Sequence, residues 1–177
     1  TTFKVFRGGA TIYGAVCDIL VPRQTSALAE RDGPTLVRAT LMAAALCSVP
    51  AAIACLILYF GADKLFAILL GNAATMPPAT TPILIVLLIA NLTQMVTHSV
   101  LVHNGYFREV ARIGMGVMAA MTGVGVVALL GHLDFVQFLE AYVAVYTCGA
   151  MAAVVLMIRG PIRLAHEVAG VPQPARR

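Results

Sequence analysis

"ATLMAAALCSVPAAIACLILYFGA", residues Ala39 to Ala62, decides the class of this protein, because no charged side chain interrupts it. About 20 apolar residues in a helix cross the hydrocarbon core of a bilayer, and the centre of this run, Leu41 to Phe60, is that long. Lipid offers no partner for a backbone N–H or C=O, so the segment must pair its own and is a helix. Three further runs of the same kind follow, over residues 82–102, 113–130 and 136–158.

A fifth segment, residues 2–21, contains Phe3, Val5, Phe6, Ile12, Tyr13, Val16, Ile19 and Leu20 but also Lys4, Arg7 and Asp18. Ionisable groups are costly against lipid and tolerable against a water-filled cavity. The segment therefore reads as a transmembrane helix, the alternative being an amphipathic helix lying in the membrane interface. The fold class is all-α, a polytopic bundle of about five transmembrane helices, with a Pro-rich tail over residues 159–177. Thr1 opens inside amphipathic sequence with no signal-peptide pattern, which reads as a piece of a longer polypeptide.

Composition agrees. Hydrophobic residues make up 60% of the 177 and charged residues 11%, with a mean hydropathy of +0.89. Soluble domains carry about 25% charged residues, because their surfaces face water. The net charge of +4 is not a nucleic-acid footprint, since the basic residues gather at helix ends without an aromatic platform. Cys17, Cys47, Cys55 and Cys148 stand far apart in apolar sequence and read as small buried hydrophobes rather than a disulfide or metal set.

Basic residues set the orientation. Alternating loops put Arg23, Arg31, Arg38, Arg108, Arg112, Arg159, Arg163, Arg176 and Arg177 on one side, against Lys64, Lys4 and Arg7 on the other. The first side, with the C-terminus, is expected to be cytoplasmic.

The connecting sequences resemble those of a known family. "VPRQTSALAERDGPTLVRA", Val21 to Ala39, looks like the cytoplasmic link after the eighth helix of polysaccharide and oligosaccharide flippases in the multidrug/oligosaccharide-lipid/polysaccharide exporter superfamily. There a helix ends in Pro, and an acidic-glycine turn and a basic residue open the next. "FGADKLFAILLGNAATMPPATTPILIVLLIANL", Phe60 to Leu92, resembles the following segment, in which a glycine ends the ninth helix before a periplasmic surface element. "LVHNGYFREVARIG", Leu101 to Gly114, resembles the turn between helices ten and eleven. The resemblance implies about five helices of the C-terminal lobe of a fold like that of multidrug and toxin extruders (MATE-like). A missing N-terminal lobe would complete the cavity, the substrate would be an undecaprenyl-linked oligosaccharide, and the location would be the bacterial inner membrane.

Several residues are candidates within that frame. Lys4 and Arg7, three apart, would present positive charge to a phosphate-bearing saccharide, or else snorkel into headgroups. Asp18, eleven residues beyond Arg7 on a similar helix face, is a candidate coupling-ion site, or an interfacial partner of Arg23. Asn91, Gln94 and His98, at i, i+3 and i+7, form a polar stripe that either bonds neighbouring helices or lines the cavity. Gly116, Ala119, Ala120 and Gly123 permit close helix packing. Glu140, Tyr142 and Tyr146 read as an outer-interface aromatic belt.

No nucleophile–base set, HExxH, P-loop or paired carboxylates are present, so neither catalysis nor a cofactor or metal is expected. The expected function is flipping of lipid-linked oligosaccharide by alternating access. A drug/cation antiporter of the same superfamily and a non-transporting membrane scaffold are the alternatives.

Overall fold

The computed structural model describes residues 2–30, 32–70 and 77–163 of the chain. They form five long helices, α1 (Thr2–Ala29), α2 (Gly33–Leu70), α3 (Thr80–His103), α4 (Phe107–Gly131) and α5 (Phe135–Met157), and a π-helical turn, Ile158–Ile162, prolongs α5. Four segments are long and apolar enough to cross a membrane: Gly33–Leu65, Thr80–His103, Phe107–Gly131 and Phe135–Ile162. The chain is an all-α polytopic bundle, with α1 the one long helix that does not meet that standard by itself.

Residues buried between the helices are mainly small: Ala27, Ala39, Ala43, Cys47, Ala51, Ala90, Ala150 and Ala153. Large apolar side chains such as Leu41, Val49, Ile53, Phe60, Met118 and Leu130 point outward. This inverts the arrangement of a soluble protein. Lipid tails are as apolar as leucine, so helices associate by close van der Waals approach, which small residues permit. Cys47 and Ala51 of α2 meet Val96 of α3, with Ala44, Leu92 and Met95 packed around them. Helix α3 is central, packing on α1, α2 and α5, whereas α4 rests mainly on α5.

The helix limits depart from the sequence expectation at three places. Residues 22–38 are not a loop: Pro22 lies inside α1, which continues to Ala29. The missing N–H of Pro22 costs one hydrogen bond but does not stop a helix held by its neighbours. Helix α2 already begins at Gly33, and Asp32 caps it by accepting the Thr35 N–H (3.1 Å) and the Thr35 hydroxyl. At the other end, Gly61, Asp63 and Lys64 stand within α2, which runs on to Leu70. A glycine in a helix costs about 1 kcal/mol relative to alanine, too little to end one with good helix formers on both sides.

Two tight turns complete the bundle. After α3, Gly105 adopts φ +83°, and the N–H groups of Gly105 and Tyr106 return to the carbonyls of Val102 and Leu101 at 3.0 Å each, the Schellman arrangement. Before α5, Asp134 accepts the Gln137 N–H (2.8 Å) while Gln137 Oε1 accepts the Asp134 N–H (3.3 Å), a reciprocal capping box.

Gly160 of the π-turn lies against the ring of Tyr106. Leu28, Asn104, Gly105, Tyr106, Glu109 and Pro161 surround one shallow depression. The α1–α2 turn, the α3–α4 turn and the end of α5 therefore share one side of the bundle. Arg23, Arg38, Arg108, Arg112, Arg159 and Arg163 are exposed towards that end.

Candidate functional site

Asn91 stands at the middle of α3 and Tyr146 at the middle of α5. The Tyr146 hydroxyl donates to Asn91 Oδ1 at 3.0 Å across the interface, both side chains half-buried. The bond joins side chains 55 residues apart in sequence and on different helices. Polar side chains on facing membrane helices tend to bond one another, so the pair ties α3 to α5 at mid-helix.

One turn further, Gln94 Oε1 is buried without a hydrogen-bond partner, as are Ser99 Oγ on α3 and Thr147 Oγ1 beside Tyr146. Buried polar atoms are normally paired, so this part of the α3–α5 region carries unused capacity to accept a donor. Thr93 and Thr97 add none, because their hydroxyls return to their own helix: Thr93 to the Ile89 carbonyl (2.9 Å), and Thr97 to those of Thr93 (2.8 Å) and Gln94 (3.1 Å).

The predicted polar stripe thus divides. Asn91 bonds the neighbouring helix, Gln94 turns a buried oxygen inward, and His98 is exposed near the arginine-rich end of α3. Tyr146 requires a correction. It sits at mid-helix and serves Asn91, not an aromatic belt at the membrane surface.

The small residues of α4 also have a different place from the one expected. Positions where Gly116 and Gly123 would carry a Cβ meet nothing within 4 Å, and α4 has no buried residue. Close approach occurs instead at Gly149 of α5, where a Cβ would run into Val117 Cγ2.

Lys4 and Arg7 belong to α1, but their side chains lie outside the described residues. Asp18 is exposed, on the side of α1 opposite the buried Leu20, Gln24 and Ala27. Arg23 follows five positions later, about 140° round the helix, so the two do not face one another as an ion pair requires. Among the described residues no group of three or more His, Cys, Asp or Glu side chains is placed to hold a metal ion. Of the cysteines expected to be buried, Cys47 is, Cys55 is half-buried and Cys148 is exposed, while the side chain of Cys17 lies outside the described residues.

In comparisons with known proteins, no family model, no curated protein and no solved structure matches this chain significantly.

Proposed function

We propose that this bundle is part of a flippase that carries undecaprenyl-linked oligosaccharide across the bacterial inner membrane by alternating access, working against a second lobe. The observation that carries the reading is the polar α3–α5 region inside an otherwise apolar bundle: the Asn91–Tyr146 bond, the unpaired Gln94 oxygen and the outward His98. Polar side chains at membrane depth are costly and mark solute paths or the contacts that shape them. The resemblance of the three connecting sequences supplies the substrate class, and the arginine-rich end supplies the orientation, with the C-terminus cytoplasmic.

In this proposal, Lys4 and Arg7 on α1 meet the phosphates of the lipid-linked saccharide through charge-assisted hydrogen bonds. The lipid tail stays in the bilayer while the sugar passes between the lobes. The test is Arg7→Ala in the full-length protein. Surface polysaccharide is expected to be lost while the protein remains in the membrane at normal abundance. Normal polysaccharide in that mutant would remove the cationic-cavity reading. Export of a lipophilic cation with unchanged polysaccharide would replace it with a drug/cation antiporter.

A further inference from the structure

The exposed carboxylate of Asp18 stands on a helix packed against α2 and α3, both long and apolar enough to span a membrane, and its depth can be read from packing. Ala27 of α1 and Leu36 of α2 form one buried cluster, which fixes the register of these antiparallel helices. Counting nine residues from each places Asp18 level with Ala45, inside the charge-free stretch of α2. Asp18 is then about 10 Å deeper than Arg38, the last charge before that stretch, at 1.5 Å per residue.

From Asp18 to the end of α1, the same face carries Pro22, Thr25 and Ala29, at i+4, i+7 and i+11, and all four residues are exposed. None offers a large apolar group to lipid. Beside this face, a hundred degrees round the helix, Ile19 is 74% exposed. Pro22 adds a second demand for polar surroundings, since it has no N–H to give the Asp18 carbonyl. Pro50 in α2 leaves the Leu46 carbonyl in the same position, but Leu46, Val49 and Ile53 clothe that face in hydrocarbon. The two proline sites differ in what surrounds them.

We infer that the Asp18–Pro22–Thr25–Ala29 face of α1 is one wall of a water-filled crevice. It enters from the arginine-rich side and ends at Asp18, where a carboxylate and a backbone carbonyl accept hydrogen bonds from water or hold a small hydrated cation. This inference stands apart from the identity of the transported solute.

The test is thiol accessibility in the full-length protein with its native cysteines replaced. Single cysteines are placed at Asp18, Pro22, Glu30 in the turn and Leu46 on the apolar face of α2. A charged, membrane-impermeant methanethiosulfonate is added on the arginine-rich side. Asp18→Cys and Pro22→Cys are expected to react nearly as fast as Glu30→Cys. Leu46→Cys is expected to react about 100-fold more slowly, because the reactive thiolate does not form in hydrocarbon. An Asp18→Cys as inert as Leu46→Cys overturns the crevice, whether lipid or protein covers the site. If Asp18→Cys does not reach the membrane, an inert Pro22→Cys overturns it equally, since that substitution removes a helix-interrupting residue and leaves the carboxylate in place.

Discussion

Tyr146 and Asn91 show what a single hydroxyl can fix at membrane depth. Tyr146→Phe keeps the ring and removes the donor, so its cost measures the bond. Such bonds inside membrane bundles average about 0.6 kcal/mol and reach about 1.7 kcal/mol. A double-mutant cycle with Asn91→Leu, read by unfolding in detergent, is expected to show coupling of that size, and strictly additive penalties would mean the two side chains do not cooperate. The polar stripe was legible in the sequence because Asn91 and Gln94 interrupt apolar residues at helical spacing. Tyr146 was not, because an aromatic residue belongs to a surface belt or to the interior according to depth, and depth depends on where α5 begins. The Asp134–Gln137 box sets that start at Phe135, which places Tyr146 about 16 Å into the helix. At the α1–α2 turn, hydrogen bonds from the Thr35 side chain and then its backbone hold the Asp32 carboxyl below the usual carboxylate range. A depressed value in the folded state means that the cap stabilises above the unfolded carboxyl's range, near 4, and is lost as pH falls through the lower folded value. Amide exchange at Thr35 should therefore accelerate on acidification below about pH 4, after correction for intrinsic exchange. In Asp32→Asn that added acceleration should be absent.

Helix interfaces here depend on where a Cβ is missing. Gly149 is buried and receives Val117 of α4 so closely that any side chain at 149 displaces it. Gly149→Leu is expected to cost about 1–3 kcal/mol, the usual range for overpacking, and Val117→Ala in the same chain should recover part of it. An unchanged melting temperature for Gly149→Leu would show that α4 is not seated on α5 in this way. Gly160 makes a stiffer contact, because two ring carbons and the hydroxyl oxygen of Tyr106 would lie 2.8–3.0 Å from its Cβ. At this scale the sequence marked the four apolar cores correctly and misjudged their ends. Pro22 and Gly61 looked like terminators, and the charges at Asp63 and Lys64 looked like loop. A long helix anchored along one face absorbs one proline and one glycine, and carries charge once it has left the lipid. The small residues of α4 misled for a related reason: spacing shows that a face permits close packing, not that a neighbour occupies it.

Across the whole molecule, the number of apolar spans and the shared side of the arginine-bearing ends follow from composition and charge alone, since lipid leaves few alternatives to a helix. What surrounds α1 does not follow, because only the packing register of Ala27 on Leu36 converts Asp18 from a residue number into a depth. The proposed orientation predicts that reporters in the Glu30–Asp32 turn and in the Asn104–Tyr106 turn read cytoplasmic, and one in the His132–Asp134 turn reads external. The opposite pattern would reverse the orientation but not the fold. Helix α2 has one more consequence. At 38 residues it is about 57 Å long, nearly twice the hydrocarbon thickness of about 30 Å, and its interior proline divides it near the middle. Prolines are the places where long helices bend, and the arm from Pro50 to Leu70 is about 30 Å. A change of 10° at that joint would swing the far end by about 5 Å, so a small bend at Pro50 is magnified at the Leu70 end of α2.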